Sequence, residues 1–154
     1  MSTRHLSPAQ VLDLLPQQPP FRFVDEILKV DEQRITGRYR FREDEWFYAG
    51  HFPGRPVTPG VILLESMCQV GVVALGIYLF ALEQSAEEAR WWTTLFVDAE
   101  SEFLRSVLPG ETVTIRGERI FWRRRKLRAR VQMFAADGTL VAQTTASGLG
   151  VRNE

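Results

Sequence analysis

Two residues in this 154-residue chain pair a titratable side chain with a backbone setting that could use it: His51 and Glu65. His51 stands in Gly50-His51-Phe52-Pro53-Gly54, where two glycines and a proline fix the chain around a group that titrates near neutral pH. That setting suits a general base, and equally a histidine that caps a turn. Glu65 falls in the second turn of a run that is otherwise apolar and helix-forming, where an unpaired carboxylate is costly to ionise and its pKa rises. Gln69 follows four residues later, on the same helix face, and can hold the carboxyl group through its amide. A glutamate whose head reaches solvent or an arginine is the competing explanation.

The start of that helix matters as much. Thr58-Pro59 reads as a cap followed by proline at the first helical position, which leaves the amides of Gly60 and Val61 without intrahelical partners. Such a terminus donates to a carbonyl oxygen that gains negative charge, and Gly60 has no side chain to hold a ligand off. A base in a rigid loop, a protonated carboxyl and an oxyanion site suit proton removal beside a carbonyl with acid-assisted loss of a β-substituent. This is elimination or hydration chemistry. Other chemistries fit less well: the chain has no Gly-x-Ser-x-Gly elbow, no metal-ligand spacing of His or Cys, and no Gly-rich nucleotide loop. Cys68, three residues after Glu65, reads as a core neighbour whose thiol pKa a carboxylate would raise.

The elements that must position these groups are legible in outline. Ser7-Pro8-Ala9-Gln10 predicts a short capped helix ending near Leu15, stopped by Pro16, Pro19 and Pro20. Residues 21–30 and 34–42 are β-rich around the polar turn Asp31-Glu32-Gln33 and predict an antiparallel pair. Residues 43–59, which hold Gly50, Pro53, Gly54, Pro56 and Pro59, read as a rigid, irregular loop carrying His51. Residues 59–82 are apolar nearly all round, as in a central helix surrounded by other structure. Glu65 and Gln69 interrupt that run, and the rest is well short of the ~20 residues of a membrane span, so burial in protein is expected. After a charged stretch, strands are predicted at 93–104, 111–122, 127–136 and 139–151, with turns at Pro109-Gly110 and Asp137-Gly138. The sum is one α+β domain over 1–154, with about six antiparallel strands curled around one long helix.

Composition bounds the function. At 45% hydrophobic and 25% charged residues, the chain is neither disordered nor a disulfide scaffold. A single cysteine and an N-terminus without an apolar leader point to the cytoplasm. Nineteen basic residues balance nineteen acidic ones, which argues against a generic nucleic-acid binder. The balance is local fiction: between Arg116 and Arg130, seven arginines and Lys126 face the single acid Glu118, a local charge of +7. Arg123, Arg124, Arg125 and Lys126 could steer an acidic partner, or form a solvated turn.

Taken together, Leu14-Leu15-Pro16, Pro20-Phe21, Val24-Asp25, the His51 block, Pro56-Val57, Pro59-Gly60-Val61, Glu65 with Gln69, and Asp137-Gly138-Thr139-Leu140-Val141-Ala142 resemble the 3-hydroxyacyl-ACP dehydratases of type II fatty-acid synthesis. The resemblance implies a hot-dog fold, with the long helix wrapped by a six-stranded antiparallel sheet. It implies a homodimer with shared sites, in some members a trimer of dimers, and no metal or organic cofactor. Carried over, His51 takes the C2 proton and Glu65 of the other chain protonates the departing hydroxyl. Gly60 then supplies an amide to the thioester oxygen and Gln69 orients Glu65; because acyl carrier proteins are acidic, the locally basic hairpin is a candidate docking patch for one. The family's usual His-Arg after Leu-Leu-Pro is Gln17-Gln18 here. Glu in place of Asp as the acid matches the branch that dehydrates without isomerising. A specialised dehydratase of a polyene or polyketide-type pathway, acting on an unusual acyl or aryl chain, and a non-catalytic acyl-binding hot-dog subunit are the alternatives. Neither nucleic acid nor membrane is expected as a partner.

Overall fold

The computed structural model describes residues 5–154. A helix at Pro8–Asp13 opens it, with the expected reciprocal cap: Gln10 N donates to Ser7 Oγ, and Ser7 N to Gln10 Oε1. Six strands follow: β1 (Glu26–Val30), β2 (Arg34–Arg40), β3 (Trp92–Phe103), β4 (Thr112–Arg123), β5 (Lys126–Ala135) and β6 (Leu140–Arg152). They form one antiparallel sheet in the order β1-β2-β4-β5-β6-β3. The helix Gly60–Glu83 lies in its hollow, the hot-dog arrangement. By length and composition this helix could cross a membrane, but 78% of its most apolar window is buried inside the protein.

The core is the space between that helix and the inner sheet face. Phe23, Phe41, Ile35, Met67, Leu75 and Ile115 are fully buried there, each worth about 1.5–3 kcal/mol of transfer free energy. The closest approach is made by glycines. A Cβ on Gly117 would lie 2.8 Å from the Gly71 Cα, and one on Gly71 would lie 2.2 Å from Val131 Cγ2. Around this contact, Gln69–Ala74 takes the wider π-helical turn, a feature with no warning in the apolar pattern.

Several boundaries differ from expectation, each for a visible reason. The chain before Asp25 does not join β1, because the backbone of Phe21 and Phe23 is taken by side chains of the central helix, whereas Asp25 N donates to Arg38 O of β2 at 2.8 Å. Gln69 Oε1 accepts from Phe23 N at 2.8 Å, Gln69 Nε2 donates to Phe21 O at 2.9 Å, and Ser66 Oγ donates to Phe23 O at 2.8 Å. The charged stretch after the helix contains a turn of helix, Ala86–Ala89, capped by Ser85 Oγ accepting from Glu88 N. Thr58 does not cap the central helix. Pro59 occupies the cap position, while the Thr58 hydroxyl shares a 2.6 Å hydrogen bond with that of Tyr48.

β3 forms one edge of the sheet, and an exposed apolar run lies in its first half, ahead of the exposed acids Asp98, Glu100 and Glu102. Leu95, Phe96 and Val97 are 53%, 54% and 47% exposed. The opposite edge, β1, has the Pro8–Asp13 helix packed beside it.

Candidate active site

His51 is held by its own loop. Val57 N donates to the His51 carbonyl at 2.9 Å, and His51 Nδ1 lies 2.9 Å from the Val57 carbonyl. A carbonyl can only accept, so Nδ1 carries the proton and Nε2 is left with a free lone pair. The loop is closed behind the histidine by the Tyr48–Thr58 hydroxyl pair. Both residues are buried, and burial pushes the Tyr48 phenol above its ordinary value. Thr58 N donates to Val107 O at 2.9 Å, which ties the loop to the segment after β3.

Two residues on, the helix starts with donors free. The first helical hydrogen bonds run from Ile62 N and Leu63 N to Pro59 O, so the amides of Gly60 and Val61 precede the ladder. His51, Thr58, Gly60, Leu63, Phe103 and Arg105 line one open cleft of about 350 Å³. A base and a helix N-terminus therefore meet in a single chain.

Glu65 does not join them. At about 100° per residue it projects roughly 140° around the helix axis from Gly60 and 160° from Leu63, away from the cleft. It lies on the flank that carries Val61, which is 73% exposed. Burial raises the Glu65 carboxyl above its ordinary value, and a hydrogen bond from Gln69 opposes that rise. Gln69 itself is fully buried and spends its amide on Phe21 and Phe23, so it meets Glu65 as a fixed group. Cys68 is inert: burial, with Glu65 adding to it, pushes the thiol up to about 12.

The basic hairpin is split between two faces. Arg124 and Arg125 form a two-residue turn with φ of 51° and 61°, a left-handed conformation that arginine rarely adopts. Arg123, Arg124 and Lys126 share an outer surface with Phe121 and Leu149. The Arg125 guanidinium turns inward and lies 4.8 Å from the centroid of the Trp92 ring. All four lie far from their own chain's cleft. Lys126 pairs with Leu149, whereas the cleft segment bonds at Val141, about 26 Å back along β6.

Comparison with known proteins places this geometry. Residues 15–145 match the FabA-like domain family. The chain belongs to that family. The 3-hydroxyacyl-[acyl-carrier-protein] dehydratase FabZ of Herpetosiphon aurantiacus is 34% identical over 139 residues, covering 90% of this chain and 93% of the relative. The FabZ of Moorella thermoacetica is 37% identical over 120 residues, covering 77% and 75%. Among solved structures, the dehydratase heterocomplex ApeI:P of Xenorhabdus doucetiae shares the fold with a TM-score of 0.74 at 12% identity, over 96% of this chain and 93% of that one. A hypothetical thioesterase with coenzyme A from Streptococcus pneumoniae does so at 0.57 and 14%, over 84% and 87%. In this FabA-like chain, His51 and the free helix amides share a cleft, while the carboxyl on the same helix faces elsewhere.

Proposed function

We propose that the protein dehydrates 3-hydroxyacyl thioesters carried on acyl carrier protein, in fatty-acid synthesis, giving the trans-2-enoyl thioester. His51 Nε2 takes the C2 proton, and the electron pair of that C–H bond becomes the C2–C3 double bond. The C3–O bond breaks, and the leaving hydroxyl takes the Glu65 proton and departs as water. Negative charge that builds on the thioester oxygen is met by the amides of Gly60 and Val61. The raised Glu65 carboxyl suits an acid that must arrive protonated, and Gln69 fixes its direction.

The carrying observation is the separation of Glu65 from the cleft that holds His51. One chain supplies a base and an oxyanion site; the acid comes from a second copy. The uncovered apolar edge of β3 is the surface for that pairing, since an exposed edge with Leu95, Phe96 and Val97 is otherwise a liability. Antiparallel pairing of two β3 edges sets the Trp92 end of one chain beside the Phe103 end of its partner. The outer hairpin cations Arg123, Arg124 and Lys126 of one subunit then stand near the other's cleft, where they dock the acidic carrier protein. The reaction takes place in the cytoplasm.

Purified protein supplied with a 3-hydroxyacyl-ACP is expected to generate the conjugated enoyl absorbance, and His51→Ala to abolish it. Unchanged turnover in the variant would remove His51 from the mechanism.

A further inference from the structure

Phe52 adds little to the core: its side chain is 49% exposed, whereas Phe47 and Tyr48 of the same loop are buried. Its ring is nonetheless placed. It lies face to face with the His51 imidazole, with centroids 4.2 Å apart and planes 24° from parallel. The other close aromatic pairs among the described residues meet tilted or edge-on.

The backbone holds both rings. Phe52 N donates to Arg55 O at 3.2 Å and Arg55 N to Phe52 O at 2.9 Å, a tight turn nested inside the His51–Val57 pair. Gly54, with a φ of 74°, turns the chain there. The outer pair fixes the imidazole edge at Nδ1, and the inner one delivers the ring that covers its face. The cleft is lined by His51 and by residues from Val57 onward, so the Phe52 ring leaves Nε2 open to it.

An aromatic face carries negative charge density and attracts a cation placed over it. When His51 takes the C2 proton, its ring passes from neutral imidazole to imidazolium, and the attraction is much the stronger in the second form. An interaction that grows during proton transfer lowers the barrier. We infer that Phe52 is a positioning residue for the base: its ring holds the imidazole plane and stabilises the positive charge that His51 gains. The inference deepens the acid–base reading of the site and rests on it for the effect on turnover. The stack itself is read without turnover.

Other titratable groups surround the imidazole. Arg105 shares the cleft from the segment after β3, with Glu111 bonded to it at 2.8 Å. Tyr48 is buried behind the loop, Arg55 lies within it, and Glu65 of a second copy joins them in the proposed two-chain site. All are constant across the variants that test the stack.

Phe52→Leu keeps an apolar side chain and removes the aromatic face, and Phe52→Trp restores a larger one. The imidazoles are titrated by NMR in each protein, with His5 as internal reference and His51→Ala for assignment. In Phe52→Leu the His51 midpoint is expected to move to lower pH by about 0.4–0.7 unit, with His5 unmoved and Phe52→Trp reversing the change. On a 3-hydroxyacyl-ACP, kcat is expected to fall about two- to fivefold at constant KM. Graded fluorination of the Phe52 ring weakens its face at nearly constant size and is expected to move the midpoint stepwise. A midpoint that stays in place in Phe52→Leu, or that ignores fluorine, would overturn the inference. So would a raised KM at constant kcat, which would make Phe52 a substrate contact. A shifted midpoint in a protein without dehydratase activity supports the stack and removes the acid–base reading. An unshifted midpoint with dehydration intact overturns the stack and spares the activity.

Discussion

His51 and Val57 are bonded twice, Val57 N to the His51 carbonyl and His51 Nδ1 to the Val57 carbonyl, both at 2.9 Å. The second bond fixes the tautomer that a base needs, with Nε2 unprotonated toward the cleft. Nitrogen NMR of the labelled imidazole is expected to show a protonated Nδ1 and a bare Nε2 in the neutral ring. The opposite assignment would leave His51 without a lone pair to use.

The acid role proposed for Glu65 carries a cost in stability. Its carboxyl is raised in the folded chain by burial, so the folded state favours the protonated form. The stabilising contribution of that proton is complete below the ordinary glutamate pKa and is lost as pH rises through the raised one. Glu65→Gln, neutral at every pH, is therefore expected to raise Tm at neutral and alkaline pH while turnover falls by about 10²–10⁴. A variant less stable than wild type at neutral pH would show that the carboxylate is paired in a way this account lacks.

Gly71 and Gly76, five residues apart on one helix, should respond oppositely to alanine. Gly71→Ala drives a methyl group into Val131 and is expected to cost about 1–3 kcal/mol by overpacking, read from the urea midpoint. Gly76→Ala, whose added Cβ would meet Leu127 Cδ2 and Thr94 Oγ1 at an ordinary 3.9 Å, is expected to be neutral or stabilising by about 0.5–1 kcal/mol. Equal losses at both positions would contradict the packing described here.

If the hairpin cations dock the carrier as proposed, they should act on the carrier and not on the chemistry. Replacing Arg123, Arg124 and Lys126 by Glu is expected to raise KM for ACP-bound substrate, with the effect shrinking at high salt, and to leave a pantetheine thioester little affected. Equal effects on both substrates would remove the docking role.

The sequence carried the elements that depend on local chemistry. Ser7 with Gln10, the polar turn at Asp31, the apolar run after Pro59 and the alternating strands each state their conformation within a few residues. What escaped depends on partners distant in sequence. Phe21 and Phe23 have strand-like side chains, but Gln69 and Ser66 take their backbone groups. Thr58 has the right type for a cap and is claimed by Tyr48. Asp137-Gly138 does turn the chain, yet among its residues only Gly138 has a positive φ. The tighter two-residue turn forms instead at Arg124-Arg125, which no propensity favours. The candidate site was legible as residue types at a spacing. That Glu65 faces away from the cleft follows from helix phase, but only once the cleft has been located on the Gly60–Leu63 side.

The proposed sharing of the site between two chains is tested most directly by mixing two inactive proteins. His51→Ala and Glu65→Gln homodimers, exchanged by mild denaturation and refolding, are combined and assayed on a 3-hydroxyacyl-ACP by enoyl absorbance. In a mixed dimer one site carries both defects and the other carries none. Equal mixing is therefore predicted to restore roughly a quarter of the wild-type sites. A mixture that stays silent, with exchange of subunits shown by mass, would contradict a site built from His51 of one chain and Glu65 of the other.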